Sequence, residues 1–182
     1  MAESAPTRLI DSCNRHLNYL RVSITDRCNL SCMYCLPQES LPRLSHDDVL
    51  RYEEILRIVH VAVGLGITKV RVTGGEPLVR KGVYEFLLQL SAVPGLIDIS
   101  LTTNGVLLKD NLHRLKAAGI ARLNISIDTL KPERYRAITG TDVFDQVWDG
   151  VRAAEALGFH PIKLNAVALK GVNDDELVDL AR

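Results

Sequence analysis

Five segments with alternating polar and apolar residues recur along the chain, and each is followed by apolar residues at helical spacing. The predicted strands are 19–25, 67–73, 97–103, 122–128 and 161–169. The predicted helices are one opened by a capping box at 45–48 and ended by Gly64, then 81–90, 108–118, 131–137, 144–157 and one starting at 173. Short connections between strand and helix favour right-handed βα units. The pattern therefore predicts an α/β fold built on a parallel sheet.

The chain of 182 residues has enough apolar sequence, 47%, for one domain with a substantial core. Residues 1–16 lack periodicity and are expected to be a flexible lead-in, so residues 17–182 form the predicted domain. The last helical pattern is still running at residue 182. We therefore expect this chain to be the front part of a longer protein.

One face of every predicted strand is polar, although the strands of a doubly covered parallel sheet are normally apolar on both faces. The polar sets are Arg21/Ser23/Thr25, Lys69/Arg71/Thr73, Ser100/Thr102, Asn124/Ser126/Asp128 and Lys163/Asn165. A closed eight-stranded barrel fills its interior with Val, Ile and Leu. A polar interior instead indicates a wider, open barrel that holds a ligand or water.

Four cations lie on this predicted inner face, with few acidic side chains to oppose them. The cations are Arg21, Lys69, Arg71 and Lys163, and the opposing groups are mainly Asp128 and Glu76. Unpaired buried charge is costly, so the set indicates an anionic guest such as a phosphate or carboxylate. Simpler roles stay open for single residues, because Arg21 could pair with Asp128 and Lys163 could extend to solvent.

Three of the four cysteines follow the first strand within one short loop. Cys28 and Cys32 are separated by three residues, and Cys32 and Cys35 by two, whereas Cys13 stands apart and is expected to be a spare thiol. A structural zinc site usually has four ligands in two pairs. Three thiolates suit an iron–sulfur cluster with one iron left open. The spacing favours the cluster, and zinc remains the alternative.

The cysteine spacing, with Tyr34 just before the last cysteine, resembles the signature of the radical S-adenosylmethionine (SAM) superfamily. Gly74-Gly75-Glu76-Pro77, after the second predicted strand, resembles that family's Gly-Gly-Glu-Pro motif. The resemblance implies an open, TIM-type partial barrel with about five of six strands present. It also implies a 4Fe-4S cluster whose open iron binds SAM, which is cleaved to a 5′-deoxyadenosyl radical.

Motifs at all five strands also resemble the GTP 3′,8-cyclases, which begin molybdenum cofactor (molybdopterin) biosynthesis. They are Arg21-Val-Ser-Ile-Thr-Asp-Arg-Cys28, Lys69-Val-Arg-Val-Thr-Gly-Gly-Glu-Pro-Leu78, Leu101-Thr-Thr-Asn-Gly105, Leu123-Asn-Ile-Ser-Ile-Asp-Thr-Leu130 and Lys170-Gly-Val-Asn-Asp-Asp175. This resemblance implies abstraction of the 3′ hydrogen of GTP and formation of (8S)-3′,8-cyclo-7,8-dihydroguanosine 5′-triphosphate.

The same resemblance implies a role for individual residues. Arg21, Arg71, Thr102 and Lys163 match the family's GTP contacts, Tyr34, Gly75 and Ser126 match its SAM contacts, and Cys28, Cys32 and Cys35 match its cluster ligands. Thr102 and Ser126 could instead bond to neighbouring strands or water, and Tyr34 could be a packing aromatic.

The chain departs from the GTP 3′,8-cyclases in one respect, because no cysteine follows Cys35. The family's second 4Fe-4S cluster, with its three further cysteines, is therefore expected only in a full-length parent. Whether this chain alone completes the cyclisation stays open. Three competing identities stay open as well: a radical SAM enzyme of peptide-modifying or haem-pathway type, a zinc-binding interaction module, and an inactive relative.

The expected partners are GTP, an electron donor, the next enzyme of the molybdopterin pathway and, for a homodimer, a second copy. Formal net charge is zero, which argues against a nucleic-acid or anionic-membrane surface. The first 19 residues contain no hydrophobic segment resembling a signal peptide. A cytoplasmic location follows as the expectation.

Overall fold

A computed structural model describes residues 8–35 and 48–181 of the chain. Its five strands are β1 (Tyr19–Ser23), β2 (Lys69–Thr73), β3 (Asp98–Thr103), β4 (Arg122–Ser126) and β5 (Ile162–Asn165). They lie in sequence order in one sheet, and every neighbouring pair is parallel. The sheet is open, with β1 and β5 at its edges, which confirms the predicted open α/β architecture.

Helices occupy the connections between the strands. They are α1 (Tyr52–Gly64), α2 (Val83–Ser91), α3 (Leu108–Ala117), α4 (Pro132–Thr139), α5 (Phe144–Ala156) and α6 (Leu177–Leu180), with 3-10 turns at Pro77–Val79 and Asp174–Glu176. None of the helices in the described ranges is both long and apolar enough to cross a bilayer.

The hydrophobic core lies between the outer face of the sheet and the helices. Its strand residues include Val70, Val72, Leu101, Leu123 and Ile125, and its helix residues include Val59, Leu87, Leu90, Leu112, Leu115 and Val147, all at most 1% exposed. Because side chains alternate along a strand, burying this set leaves the polar residues on the opposite, inner face. The predicted separation of polar and apolar faces is confirmed.

The predicted start of α1 is wrong. Residues 45–47 of the expected capping box lie outside the described ranges, and the helix begins at Tyr52. Its first turn is closed at Arg51, whose backbone N–H donates to the Glu54 carboxylate at 2.7 Å. The Leu50 carbonyl, just before this turn, accepts a 2.7 Å bond from the Arg80 guanidinium. A contact from another part of the chain therefore holds this segment outside the helix.

The predicted fifth strand is too long, because β5 ends at Asn165 rather than at residue 169. Beyond it the backbone turns toward side-chain partners. The Val167 N–H donates to Asp128 at 2.8 Å, and the Leu169 N–H donates to Asn173 at 2.7 Å. Asn173 is fully buried, so this turn is part of the packed structure.

Within the expected lead-in, the described residues from 8 onward make contacts with one another and with the domain. Ile10 and His16 form an antiparallel bridge, and the Leu9 N–H donates to the Leu65 carbonyl at 3.2 Å.

Replacing Leu101 by Ala tests the position of the core. Leu101 lies on β3 and is 0% exposed, so we expect Leu101→Ala to lower the free energy of unfolding by about 2–5 kcal/mol. Leu88→Ala on α2 is the matched control, because Leu88 is 55% exposed; it should change stability by less than about 0.5 kcal/mol. Urea unfolding followed by circular dichroism measures both, and equal losses would contradict the assignment of the core.

Candidate active site

The three clustered cysteines lie in the loop that follows β1, which we call the cysteine loop (residues 26–35). Cys28 and Cys32 are half-buried, Cys35 is exposed, and none of them is in a disulfide. The Cys35 N–H donates to the Cys32 carbonyl at 2.9 Å and closes a tight turn between these two residues. The carboxyl ends of parallel strands meet at one edge of the sheet, so the loop lies at the edge where such folds place their sites.

Helix α4 holds the middle of the cysteine loop. The N–H groups of Ser31 and Met33 donate to the carbonyls of Thr139 and Ile138, at 3.1 and 2.8 Å. The last carbonyls of a helix have no partner within the helix. Here the cysteine loop supplies two of those partners, and Gly140 ends α4 in a left-handed conformation with φ of 73°.

The double glycine after β2 holds the start of the loop. The Gly75 N–H donates to the Thr25 carbonyl, and the Glu76 N–H donates to the Arg27 carbonyl, both at 2.8 Å. A Cβ atom at Gly74 would lie 2.5 Å from the Thr25 carbonyl oxygen, and one at Gly75 would lie 2.3 Å from that of Arg27. Only glycine allows this close approach of two backbones.

Glu76 joins the end of β2 to the end of β3. Its carboxylate accepts bonds from the Leu78 N–H at 3.0 Å, the Thr103 hydroxyl at 2.9 Å and the Asn104 N–H at 2.7 Å. Glu76 is fully buried, and burial raises its pKa while the three hydrogen bonds oppose the rise. Over the described ranges no ion pair joins Glu76 to an inner-face cation, and its carboxylate bonds to the turn after β2 and to the end of β3.

Tyr34 ties the cysteine loop to the end of β4. Its hydroxyl donates to one carboxylate oxygen of Asp128 at 2.7 Å, and the other oxygen accepts the Val167 N–H. Burial and the adjacent Asp128 raise the pKa of Tyr34, so the phenol stays protonated and acts as the donor. The partner of the Tyr34 side chain is therefore Asp128. From the sequence alone, Asp128 could also be a partner for Arg21.

The thiols of the cysteine loop influence one another's pKa. Burial raises the pKa of both Cys28 and Cys32, and the neighbouring Cys35 contributes to each rise; for Cys32 the pKa reaches about 11. The Cys28 sulfur also accepts N–H bonds from Leu30 at 3.5 Å and from the Asn104 amide at 3.7 Å. Three adjacent thiols, one with N–H donors in place, form a donor set suited to an iron–sulfur cluster.

Over residues 8–35 and 48–181, no three or more Cys, His, Asp or Glu side chains converge as they would around one metal ion. A zinc ion draws all its ligands to one centre, with each sulfur about 2.3 Å away. Thiolates that hold a 4Fe-4S cluster bind separate iron atoms. Cys28, Cys32 and Cys35 lie on one loop, with a tight turn between Cys32 and Cys35, and the choice between the two kinds of site rests on their spacing in the sequence.

The inner face of the sheet carries the predicted ligand-binding residues in register. Arg21 lies opposite Arg71, and Arg71 lies opposite Ser100. Thr102 lies opposite Asn124, and Asn124 lies opposite Lys163. Ser126 ends β4 opposite Asn165. The structure therefore places Arg21, Arg71, Thr102, Lys163 and Ser126 on one face, distributed over all five strands.

The four predicted cations of this face have no acidic partner in the part of the chain that the structure describes. Within those ranges no ion pair joins Arg21, Lys69, Arg71 or Lys163 to a carboxylate. The Arg71 Nε is buried and has no hydrogen-bond partner among the described atoms, although its guanidinium lies 5.4 Å from the Tyr19 ring centroid. A buried donor without an acceptor is costly, which indicates that a ligand or water fills this place.

Sequence reasoning missed two participants of the site, Arg122 and Asn104, and it named Asp128 without finding its partner Tyr34. Arg122 on β4 also faces inward, but it is neutralised by an ion pair with Asp98 on β3. Asn104 contacts the Cys28 sulfur, and Asp128 holds Tyr34. A polar residue just beyond the carboxyl end of the predicted strand 97–103 was the available signal for Asn104.

Comparison with known proteins identifies similar chains. A family model described as the Radical SAM superfamily matches residues 22–182. GTP 3′,8-cyclase from Heliobacterium modesticaldum is 53% identical over 174 residues, 96% of this chain and 53% of that protein. The GTP 3′,8-cyclase of Geobacter sulfurreducens is 52% identical with the same coverage. The chain thus spans about half the length of the curated relatives it matches.

Solved structures resemble this fold at low sequence identity. The crystal structure of Streptococcus suis SuiB bound to its precursor peptide SuiA superposes with a TM-score of 0.72 at 22% identity, covering 90% of this chain and 36% of that one. A structure of anSMEcpe with bound AdoMet gives a TM-score of 0.61 at 22% identity, covering 81% and 42%. These likenesses support the fold.

Replacing Gly75 by Ala tests the close approach of the cysteine loop to the β2 turn. The added Cβ would meet the Arg27 carbonyl at 2.3 Å, so we expect Gly75→Ala to lower the free energy of unfolding by about 1–3 kcal/mol. Gly64→Ala is the control, since nothing lies within 4 Å of a Cβ there; it should be neutral or stabilise α1 by up to about 1 kcal/mol. Urea titrations that gave the two variants the same stability would refute the packing argument.

Proposed function

Because the chain belongs to the radical SAM superfamily, we propose that Cys28, Cys32 and Cys35 hold a 4Fe-4S cluster with one iron open to S-adenosylmethionine. When bound, the cluster supplies the electron that cleaves the sulfonium and starts radical chemistry. The contribution of the protein is geometric. The bonds from Ser31 and Met33 to α4 and the bond from Tyr34 to Asp128 hold in place the loop that carries the three thiols.

Tyr34, Gly75 and Ser126 are the proposed contacts for S-adenosylmethionine. They come from the cysteine loop, the end of β2 and the end of β4, which all lie at the carboxyl edge of the sheet. Gly75 is exposed, and Ser126 is partly exposed. A cofactor at this edge would therefore reach all three without displacing core residues.

The proposed substrate is GTP, bound along the inner face by Arg21, Arg71, Thr102 and Lys163. The observation that carries this proposal is the set of inner-face cations without acidic partners among the described residues, with the buried Nε of Arg71 lacking an acceptor there. Arginine binds phosphate oxygens through two parallel hydrogen bonds, and a triphosphate supplies enough negative charge for several cations. The similarity to GTP 3′,8-cyclases supports the same choice.

The proposed reaction is that of a GTP 3′,8-cyclase, a lyase of molybdenum cofactor biosynthesis. The ribose C3′–H bond would break as its hydrogen atom passes to the cofactor-derived radical, and the C3′ radical would form a bond to guanine C8. One electron from the electron donor and one proton would then give (8S)-3′,8-cyclo-7,8-dihydroguanosine 5′-triphosphate. The lining residues would hold the triphosphate along the sheet and so direct the ribose toward the cysteine loop. A peptide-modifying radical SAM enzyme is the second candidate, supported by the fold likeness to SuiB alone.

The remaining proposals concern the domain boundaries, a second cluster, the partners and the location. Residues 17–182 would form the radical SAM unit behind a lead-in at 1–16, and a second 4Fe-4S cluster would belong to the part of the relatives that this chain does not match. The partners would be an electron donor, the next enzyme of the pathway and, in a homodimer, a second copy. A reducing cytoplasm suits a loop with three thiols.

Cluster reconstitution tests the assignment of the cysteines. After anaerobic incubation with iron and sulfide, the chain should bind both and show charge-transfer absorbance in the visible range. Cys28→Ala, Cys32→Ala and Cys35→Ala should each lose the cluster and the ability to release 5′-deoxyadenosine from SAM. Cys13→Ala is the control and should keep both, because Cys13 is exposed and lies outside the loop. Stoichiometric zinc without iron, or a cluster retained in all three variants, would exclude the proposal.

A nucleotide titration tests the inner face. Arg71→Met keeps much of the side-chain length but removes the guanidinium, so we expect GTP binding, measured by calorimetry, to weaken about tenfold or more. Arg57→Met on the exposed side of α1 makes the same change in charge and should leave affinity unaltered. The result would favour the peptide-modifying candidate if the unsubstituted chain does not bind GTP, or if the two variants bind GTP with the same affinity.

A further inference from the structure

We propose that Asn104 is a positioning residue for the iron–sulfur cluster, whose side-chain amide donates an N–H bond to the Cys28 sulfur and thereby raises the cluster's reduction potential. The inference rests on the proposed cluster. It assigns a task to a residue at the end of β3, 76 positions from the cysteine it contacts.

The orientation of the Asn104 amide follows from its neighbours. Its Oδ1 accepts the backbone N–H of Val106 at 3.1 Å, and a backbone N–H can only donate. The NH₂ end must therefore point the other way. There it lies 2.7 Å from Asn29 Oδ1 and 3.7 Å from the Cys28 sulfur. Both protons of the amide are thus directed at the cysteine loop.

The backbone of Asn104 is also held in place. Its N–H donates to the buried Glu76 carboxylate at 2.7 Å, and the same carboxylate accepts the hydroxyl of Thr103. Glu76 in turn donates its own N–H to the Arg27 carbonyl, one residue before Cys28. The Asn104 backbone and the residue before Cys28 are therefore both hydrogen-bonded to Glu76, which holds the Asn104 amide close to the Cys28 sulfur.

The Cys28 sulfur then receives N–H bonds from two directions. Leu30 donates from within the loop at 3.5 Å, and Asn104 donates from β3. Reduction of a cluster adds one negative charge, which is shared with the thiolate ligands. An N–H donor stabilises that extra charge, so hydrogen bonds to the sulfurs raise the reduction potential. Removing one donor should lower it.

The test compares Asn104→Ser with Asn29→Ala in the reconstituted chain. A serine hydroxyl can still accept the Val106 N–H, but it is too short to reach the sulfur. We expect the ratio of reduced to oxidised cluster at a fixed potential to fall about tenfold, which is 59 mV for a one-electron couple. Asn29→Ala removes the other partner of the Asn104 amide but leaves the N–H bond to Cys28. The reduction potential of the cluster in this variant should therefore stay unchanged. Redox titration followed by electron paramagnetic resonance measures both.

A second variant covers the case in which Asn104→Ser loses the cluster. Asn104→Asp keeps the size of the side chain and the acceptor for Val106, and it replaces the donor by a negative charge. Its potential should fall further than that of Asn104→Ser.

Three results would overturn the inference: an unchanged potential in Asn104→Ser with the cluster present, an equal fall in Asn29→Ala, or no fall in Asn104→Asp. If the parent chain binds no cluster at all, the proposed function itself fails, and that result is visible before any variant is made.

Discussion

Backbone hydrogen bonds to the cysteine loop are the interactions on which the rest of the site depends. Two N–H groups of the loop satisfy the last carbonyls of α4, and the carbonyls of Thr25 and Arg27 accept the N–H groups of Gly75 and Glu76. The positions of the cysteines are thus set by the main chain of neighbouring elements. A site held in this way does not rely on the thiols themselves for its shape, so it can be present before a cluster binds.

The inner face of the sheet has the opposite character, because four of its cations have no acidic partner over the described ranges. These are Arg21, Lys69, Arg71 and Lys163. Arg21 and Lys163 are exposed and Lys69 and Arg71 are partly buried, so the cost falls mainly on Arg71, whose Nε is buried without an acceptor in those ranges. An anion that bound only the folded domain would stabilise it. β1 connects the two parts of the site. Arg21 lies on the strand, and Cys28 lies in the loop that continues it. Under the proposed function, one stretch of chain would contribute both to starting the reaction and to holding its substrate.

Most of the fold could be predicted from local sequence patterns. The order of the strands and the polar inner face follow from alternation and short connections, which depend on neighbouring residues only. The errors arose where distant residues decide. Leu50 is held outside α1 by Arg80, and the Val167 backbone, predicted in the fifth strand, bonds to Asp128. The bonds of Glu76 to the end of β3 and of Tyr34 to Asp128 also join distant residues, and local patterns did not predict them. The alternation pattern contained no information on these partners, because side-chain pairing across elements is set by packing.

The most direct test of the central claim is the electron paramagnetic resonance spectrum of the reduced, reconstituted chain, recorded with and without S-adenosylmethionine. If three cysteines hold a cluster with an open iron, direct binding of S-adenosylmethionine to that iron must change the spectrum. Identical spectra at saturating S-adenosylmethionine would contradict this account, because they would mean that the cofactor does not bind the cluster.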